Sequence, residues 1–150
     1  MNRKIYIIMR LLILILLVSC AKDSSVLIDG YYSAEVAEFD SHGWKEFLTI
    51  CVSNGKIILV EYNAYNPAGF VKTWDMDHMR EMNAMFGTYA SSYTRIYARQ
   101  FLENQSTEGI DVISGATVSH SVFTALANAV LARAHEGNKN TAFVEIEESL

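Results

Sequence analysis

The sequence of 150 residues has few cysteines, prolines and basic side chains. Its two cysteines and one proline exclude a scaffold held by several disulfides and a proline-rich repetitive chain. Twelve Lys and Arg residues stand against 17 Asp and Glu residues, for a formal net charge of −5. Nucleic-acid binding depends on basic side chains that neutralise phosphates, and no basic stripe is present. The composition therefore favours a small acidic domain with an ordinary apolar core.

The N-terminal segment lacks acidic residues and contains the longest apolar run of the chain, residues 11–18, after a basic start. A membrane-spanning helix needs roughly 20 apolar residues, whereas residues 5–18 supply fourteen positions that Arg10 interrupts. This layout is typical of a secretory signal peptide, which we place at residues 1–19. Without it, the remaining 131 residues carry nine basic and 17 acidic side chains, a net charge of −8.

The two cysteines differ in their surroundings. Cys20 closes the tetrapeptide Leu-Val-Ser-Cys directly after the apolar run, and this resembles the bacterial lipoprotein signal, in which the thiol receives diacylglycerol and becomes the first mature residue. The resemblance implies acyl chains such as palmitate, attachment to membrane lipid through Cys20, and an exported domain that faces the periplasm or the cell exterior. Cys51 lies in an apolar segment and is predicted to be a buried thiol. The four histidines are scattered, so no metal site is predicted.

Three β-rich segments, residues 30–39, 44–52 and 56–65, predict antiparallel strands. Residues 40–43 indicate a turn between the first two, and Asn54-Gly55 indicates a tight hairpin between the last two. We expect an α+β fold with a small antiparallel sheet packed against helices. The predicted organisation is a signal peptide at 1–19, a tether at 20–28, one domain at 29–135, and an acidic tail or edge strand at 136–150.

Helical spacing appears from Asp75 onward and predicts three helices, the first of which ends at Gly87. The third helix begins at Thr117 and continues to about residue 134. The apolar positions that we expect to face the core are His78, Met82 and Met85 or Phe86 in the first helix, Tyr89, Tyr93, Ile96, Tyr97 and Phe101 in the second, and Val118, Val122, Ala125, Ala129 and Val130 in the third.

The junction before the third helix is the most informative part of the chain. Residues 110–113 predict a short strand end, Ser114-Gly115 a turn, and Thr117 the helix start. The unpaired N–H groups and the positive dipole end of such a helix favour a phosphate. Alternatively, the hydroxyl of Ser114 or Thr117 simply caps the helix. Local physical chemistry alone favours the cap.

The wider pattern Asp-x-x-Ser-Gly-Ala-Thr, from Asp111 to Thr117, resembles the flavinylation motif of the FMN-binding domain family. This family includes subunits of the sodium-pumping quinone reductase and of the Rnf complex. The resemblance implies that Thr117 carries FMN through a phosphoester installed by a separate exported flavin transferase. It also implies that Ser114, Gly115 and Ala116 surround the attachment point. Asp111 would repel a phosphate, so its expected role is turn bracing or transferase recognition.

The resemblance continues outside the motif, in Asp29-Gly30-Tyr31-Tyr32, in residues 40–47 and in Asn54-Gly55-Lys56-Ile57. These segments are similar to small FMN-binding lipoproteins of Firmicutes and spirochaetes, including spirochaetal membrane immunogens. The implied protein is an electron carrier between unidentified redox partner proteins, with no catalysis of its own.

Aromatic side chains on or beside the predicted sheet are the candidates for flavin-ring contact: Trp44, Tyr62 and Tyr65. Two other functions remain open at this stage. One is a lipoprotein that binds flavin noncovalently for transport or scavenging, and the other is a structural surface immunogen whose motif is only a helix cap.

Overall fold

The structure is a computed structural model that describes residues 26–146. The predicted signal peptide at 1–19, the lipid-attachment residue Cys20 and most of the tether lie outside the described residues. The described part contains four strands, three α-helices and one short 3-10 helix: β1 (Gly30–Val36), β2 (Lys45–Ser53), β3 (Lys56–Tyr65), the 3-10 helix (Lys72–Trp74), α1 (Met76–Phe86), α2 (Ala90–Asn104), α3 (Thr117–Glu136) and β4 (Ala142–Val144).

The four strands form one sheet in the order β3-β2-β1-β4. Strands β1 to β3 are antiparallel, as predicted, and the α+β class is confirmed. The sheet is mixed, however, because β4 pairs in parallel with β1. The long helix α3 precedes β4 and returns the chain to the end of the sheet where β1 begins, so the last strand runs in the same direction as β1. This strand lies within the segment that the sequence left open as tail or edge strand.

The predicted turns are confirmed, and side chains hold two of them. Asn54 and Gly55 both have positive φ angles, 54° and 70°, which is the geometry of a type I′ hairpin. The Asp29 carboxylate accepts the Gly55 N–H at 3.0 Å. The Asp40 carboxylate accepts the N–H groups of residue 42, at 2.9 Å, and of Trp44, at 2.7 Å. Helix α1 ends before Gly87, also as predicted.

Helix α3 packs against β1 and β2 with a face that overlaps the predicted one in part. Val122 and Val130 are buried, as predicted. Val118 is 79% exposed, and the predicted stripe that starts there is wrong at its first position. Phe123 and Leu126, which the predicted stripe leaves out, are both fully buried. Val118 lies in the first turn of the helix and is exposed, whereas Val122, one turn later on the same side, is buried. The buried face consists of Ser119, Val122, Phe123, Leu126, Ala127, Val130 and Ala134.

Residues 110–113 form an extended loop and pair with no strand in the described chain, so the predicted strand end is wrong. Side chains bind the backbone of this loop instead. Gln100 accepts the Asp111 N–H at 3.0 Å, and the Tyr97 hydroxyl accepts the Ile113 N–H at 3.2 Å. These two bonds from α2 side chains satisfy the N–H groups of residues 111 and 113, which have no partner strand to pair with.

The end of the predicted tether belongs to the packed domain. Leu27 is buried, and the Ile28 N–H donates to the Ala134 carbonyl at 3.0 Å. Residues 26–28 are therefore fixed against the hairpin end of the sheet and the C-terminal end of α3. Cys51 is buried, as predicted.

Candidate functional site

The segment from Asp111 to Thr117 forms the loop and turn that lead into α3. The N-cap of α3 is Ala116, and no side chain caps the helix. The capping role considered for Ser114 or Thr117 is therefore wrong in this structure. The turn closes through a backbone bond from the Ala116 N–H to the Ile113 carbonyl, at 2.9 Å, which puts an alanine at the cap position.

The first turn of α3 consequently keeps free hydrogen-bond donors. The first intrahelical bond runs from the His120 N–H to the Ala116 carbonyl, at 3.0 Å. The N–H groups of residues 117–119 precede that bond and have no partner inside the helix. Thr117 is exposed. An accessible hydroxyl thus lies beside backbone donors at the positive end of a 20-residue helix.

Gly115 is required by a close approach to the end of α1. Its φ angle is +78°, and a Cβ at this position would lie 2.7 Å from the Cβ of Phe86 and 2.8 Å from the Phe86 carbonyl oxygen. The same Cβ would lie 3.2 Å from Cγ2 of Thr88. Only glycine fits here, because both the backbone conformation and the contact exclude a side chain.

Tyr97 of α2 holds the turn from inside the protein. Its hydroxyl accepts the Ile113 N–H at 3.2 Å and donates to the Ala116 carbonyl at 3.1 Å. The ring is fully buried and stacks on Phe123, with the ring centroids 5.4 Å apart. The sequence predicts Tyr97 as a core residue but gives no signal for these two bonds.

A second buried tyrosine supports the first turn of α3. The Tyr62 hydroxyl lies 3.1 Å from the Ser119 carbonyl and also forms a very short hydrogen bond with the Glu46 carboxylate. Burial raises the pKa of Glu46, against the smaller lowering effects of Tyr62 and Lys72. The Tyr62 hydroxyl has one hydrogen and lies within reach of two acceptors, the Glu46 carboxylate and the Ser119 carbonyl.

Exposed apolar side chains lie close in sequence to Phe86 and Gly115, the two residues of the close contact described above. They lie within three residues along the chain of the contact between Phe86 and Gly115, and we call them the Phe86 patch: Met85 (69% exposed), Phe86 (55%), Tyr89 (39%), Val112 (55%) and Val118 (79%). Helical spacing predicted a core position for Met85 or Phe86, and this is wrong because α1 buries only Met79. Such clusters of exposed apolar side chains mark binding surfaces.

No protein-family model matches the chain. The chain is similar to the "15 kDa lipoprotein" of Treponema pallidum (strain Nichols), with 36% identity over 125 residues that cover 83% of this chain and 87% of the relative. It belongs to the family of that small lipoprotein.

Solved structures of two clostridial proteins are also similar. The crystal structure of the CPE2226 protein from Clostridium perfringens is 38% identical, covers 81% of this chain and 99% of its own, and superposes with a TM-score of 0.77. A solution NMR structure from Clostridium thermocellum is 29% identical, covers 71% of this chain and 91% of its own, and has a TM-score of 0.48. The first of these supports the fold described above for this member of the lipoprotein family.

The three aromatic residues predicted to contact a flavin ring occupy separate places in this lipoprotein. Trp44 is buried and packs near the His78 ring, with centroids 6.2 Å apart. Tyr62 is buried beneath the first turn of α3, as described above. Tyr65 lies on the opposite face of β3 from Tyr62, because the two positions are three apart in a strand, and its hydroxyl donates to the Glu35 carboxylate at 3.0 Å. Of the three, Tyr62 has a hydrogen-bond link to α3.

A cavity of about 440 Å³ lies between β3, the 3-10 helix and α2. Small-molecule sites commonly have volumes of about 300 to 1,000 Å³. Trp74, 67% exposed, and Arg95 lie at its rim, and the buried polar residues Asn63 and Thr94 lie inside. The remaining lining residues are Phe47, Val60, Glu61, Tyr62, Val71, Thr73 and Ala98.

Two further properties hold for the part of the lipoprotein that the structure describes. No three His, Cys, Asp or Glu side chains between residues 26 and 146 lie close enough to hold a metal ion. No helix in the same range is both long and apolar enough to span a bilayer.

Proposed function

We propose that this lipoprotein is an extracytoplasmic electron carrier that bears FMN as a phosphoester on Thr117 and is anchored to a membrane through lipid on Cys20. The observation that carries the proposal is the exposed Thr117 hydroxyl at an uncapped helix N-terminus, directly behind a turn that only glycine can form. The motif at residues 111–117 and membership of a lipoprotein family agree with it.

The surroundings of Thr117 suit a phosphate. The free N–H groups at the start of α3 can donate to phosphate oxygens, and the helix dipole stabilises an anion there by roughly 0.3 to 1 kcal/mol. Ala116 is buried, and Gly115 carries no side chain, so neither blocks the approach to the hydroxyl. Ser114 is exposed one residue before this glycine and can donate a further hydrogen bond to a phosphate oxygen.

Attachment would use a partner enzyme, because among residues 26–146 no basic side chain is hydrogen-bonded to the Thr117 hydroxyl. A flavin transferase would supply FAD. The Thr117 hydroxyl oxygen bonds to the phosphorus of the FMN half, the pyrophosphate bond of FAD breaks, AMP leaves, and the hydroxyl proton passes to a base of the transferase. Asp111 is exposed at the start of the segment and is available for recognition by that enzyme.

Bound FMN supplies reversible electron transfer, while the protein controls its position and surroundings. The Phe86 patch lies next to the attachment point and offers apolar surface for a flat aromatic ring. The proposed ring contacts are therefore the side chains of the Phe86 patch, in preference to the predicted contacts Trp44 and Tyr65. No catalytic residue is required, since a carrier only accepts and passes on electrons.

The decisive experiment is intact-mass and peptide-mass analysis after co-expression with an exported flavin transferase. We expect an increment equal to one FMN, less one water, on the peptide that contains Thr117, and flavin fluorescence on a denaturing gel. Thr117→Val should abolish both signals, whereas Ser121→Ala, an exposed hydroxyl one turn later in the same helix, should leave them unchanged. Retention of the increment in Thr117→Val would refute the assignment.

A second candidate is a lipoprotein that binds flavin noncovalently for transport or scavenging. The cavity of about 440 Å³ favours it, because Trp74 and Arg95 at the rim could stack on a ring and pair with a phosphate. This function predicts a yellow protein whose colour is released on denaturation and is retained in Thr117→Val. Trp74→Ala would then lower flavin affinity, which the covalent carrier does not predict.

A further inference from the structure

The chain enters the domain at one end of α3. The Ile28 N–H donates to the Ala134 carbonyl, in the last turns of this helix, at 3.0 Å. Val26 lies beside the tip of the β2-β3 hairpin, since a Cβ on Gly55 would meet Val26 Cγ1 at 3.4 Å. We call the hairpin tip and the C-terminal end of α3 the entry end of the domain.

The attachment segment lies at the other end. Thr117 and Ala134 are separated by seventeen residues of one continuous helix, which corresponds to about 26 Å at 1.5 Å per residue. The C-terminal end of helix α2 also lies at the entry end. The Gln105 side chain, just after this helix, accepts the Ile57 N–H at 2.8 Å and donates to the Ile57 carbonyl at 2.9 Å, next to the hairpin. The Phe86 patch therefore shares the far end of the domain with Thr117.

The stretch between the proposed lipid and the entry end is short. Six residue steps separate Cys20 from Val26, and a fully extended chain of that length spans about 20 Å. The entry end must then lie close to the lipid headgroups. Exposed apolar side chains at this end, Val26 (54% exposed), Ile28 (40%) and Ile58 (57%), can contact the interfacial region of the bilayer and hold the domain end-on.

We infer that the lipoprotein stands on its membrane with the hairpin end down and presents Thr117 and the Phe86 patch to the aqueous phase. This inference rests on the proposed lipid anchor at Cys20 and is independent of flavin attachment. The orientation restricts which proteins can be partners, because a protein that binds the Thr117 end of the domain must approach from the aqueous phase. A partner confined to the bilayer core would face the opposite end of the domain.

The orientation can be measured by fluorescence quenching on vesicles. Acylated full-length protein, with lipid on Cys20 checked by mass, is labelled at Lys56→Cys near the hairpin or at Val118→Cys in the first turn of α3. The parent protein controls for labelling of the buried Cys51. Vesicles contain phosphatidylcholine, phosphatidylglycerol and a lipid with a quencher at the headgroup. We expect several-fold stronger quenching at position 56 than at position 118, and the reverse order with a water-soluble quencher.

A longer tether provides the matched control. An insertion of about 30 Gly and Ser residues after Lys22 has a root-mean-square span of roughly 30 Å. It should reduce the difference between the two labels, because it removes the constraint of the short tether and leaves only the apolar contacts of the entry end. Equal lipid quenching at both positions with the natural tether, or stronger quenching at position 118, would overturn the orientation while leaving the flavin proposal intact. Absence of acylation at Cys20 would overturn the anchor and the orientation together.

Discussion

The carbonyl oxygen of Phe86 lies against the backbone of Gly115, so closely that a Cβ on residue 115 would come within 2.8 Å of it. This contact joins the end of α1 to the turn before α3, two segments that are almost thirty residues apart in the sequence. The contact fixes the position of this turn against the end of α1. It therefore also fixes the position of Thr117, two residues after Gly115.

Gly115→Ala should destabilise the protein by roughly 2 to 4 kcal/mol, because it adds steric overlap to the cost of a positive φ for a residue with a side chain. Gly69→Ala is the matched control, since Gly69 has the same φ of +78° but no atom within 4 Å of a Cβ. We expect Gly69→Ala to cost about 1 kcal/mol. Urea unfolding gives both values, and equal losses would contradict the close contact.

Tyr97→Phe should loosen the turn while preserving the core ring. It leaves the Ile113 N–H without its acceptor and removes one of the two donors to the Ala116 carbonyl, which keeps the His120 N–H. A buried group left without a partner costs about 1 to 3 kcal/mol. Tyr65→Phe, on the other face of the sheet, should cost less than about 1 kcal/mol. The predicted readouts are the free energy of unfolding and the yield of FMN attachment. A yield as high in Tyr97→Phe as in Tyr65→Phe would show that the turn is positioned without this hydroxyl.

Glu46 should make stability depend on pH. Burial raises its pKa in the folded protein above the ordinary value of 4.5, so the folded state binds the proton more tightly than the unfolded chain. The resulting stabilisation is complete below pH 4.5 and is lost as the pH rises through the raised pKa. Glu46→Gln removes the titration, so its stability relative to the natural protein should improve with pH over this window. Urea unfolding between pH 4 and 8 tests this, and a pH-independent difference would count against a raised pKa of Glu46 in the folded protein.

Cys20→Ser should convert a membrane-bound lipoprotein into an unprocessed or soluble protein, because the acyl chains supply the membrane affinity. Fractionation and mass analysis of the N-terminus measure the change. Cys51→Ala, which alters the other cysteine of the chain, should leave the membrane fraction unchanged. Lipid on the Cys20→Ser protein would show that another residue carries the anchor.

Local sequence signals predicted much of the fold correctly. Asn54-Gly55 predicted the hairpin, because a type I′ turn needs positive φ at both positions. The turn at residues 40–43 and the helix end at Gly87 were also predicted correctly, since each depends on neighbours a few residues away. The motif at residues 111–117 located the candidate site before any tertiary contact was known.

The face that α3 turns to the sheet required the folded structure. Val118 and Phe123 are both apolar, and hydropathy does not say which of them the sheet covers. Hydropathy likewise did not predict that Phe86 is exposed, because its exposure depends on how the end of α1 packs against the turn at Gly115. The roles of Glu46 and Tyr97 also depend on hydrogen-bond partners 16 to 19 residues away along the chain.

By itself, the sequence determined the class of the domain and its turns, because each of these is encoded in residues that are adjacent or regularly spaced. It also predicts the N-terminal signal peptide and the segment on which the proposed chemistry depends. Only the tertiary structure decided what surrounds Thr117: the glycine pressed against Phe86, the buried tyrosines beneath the first turn, and the exposed apolar patch at the end of the domain remote from Val26. These features arise from packing between distant segments, and packing depends on shape and volume that a one-dimensional pattern does not contain.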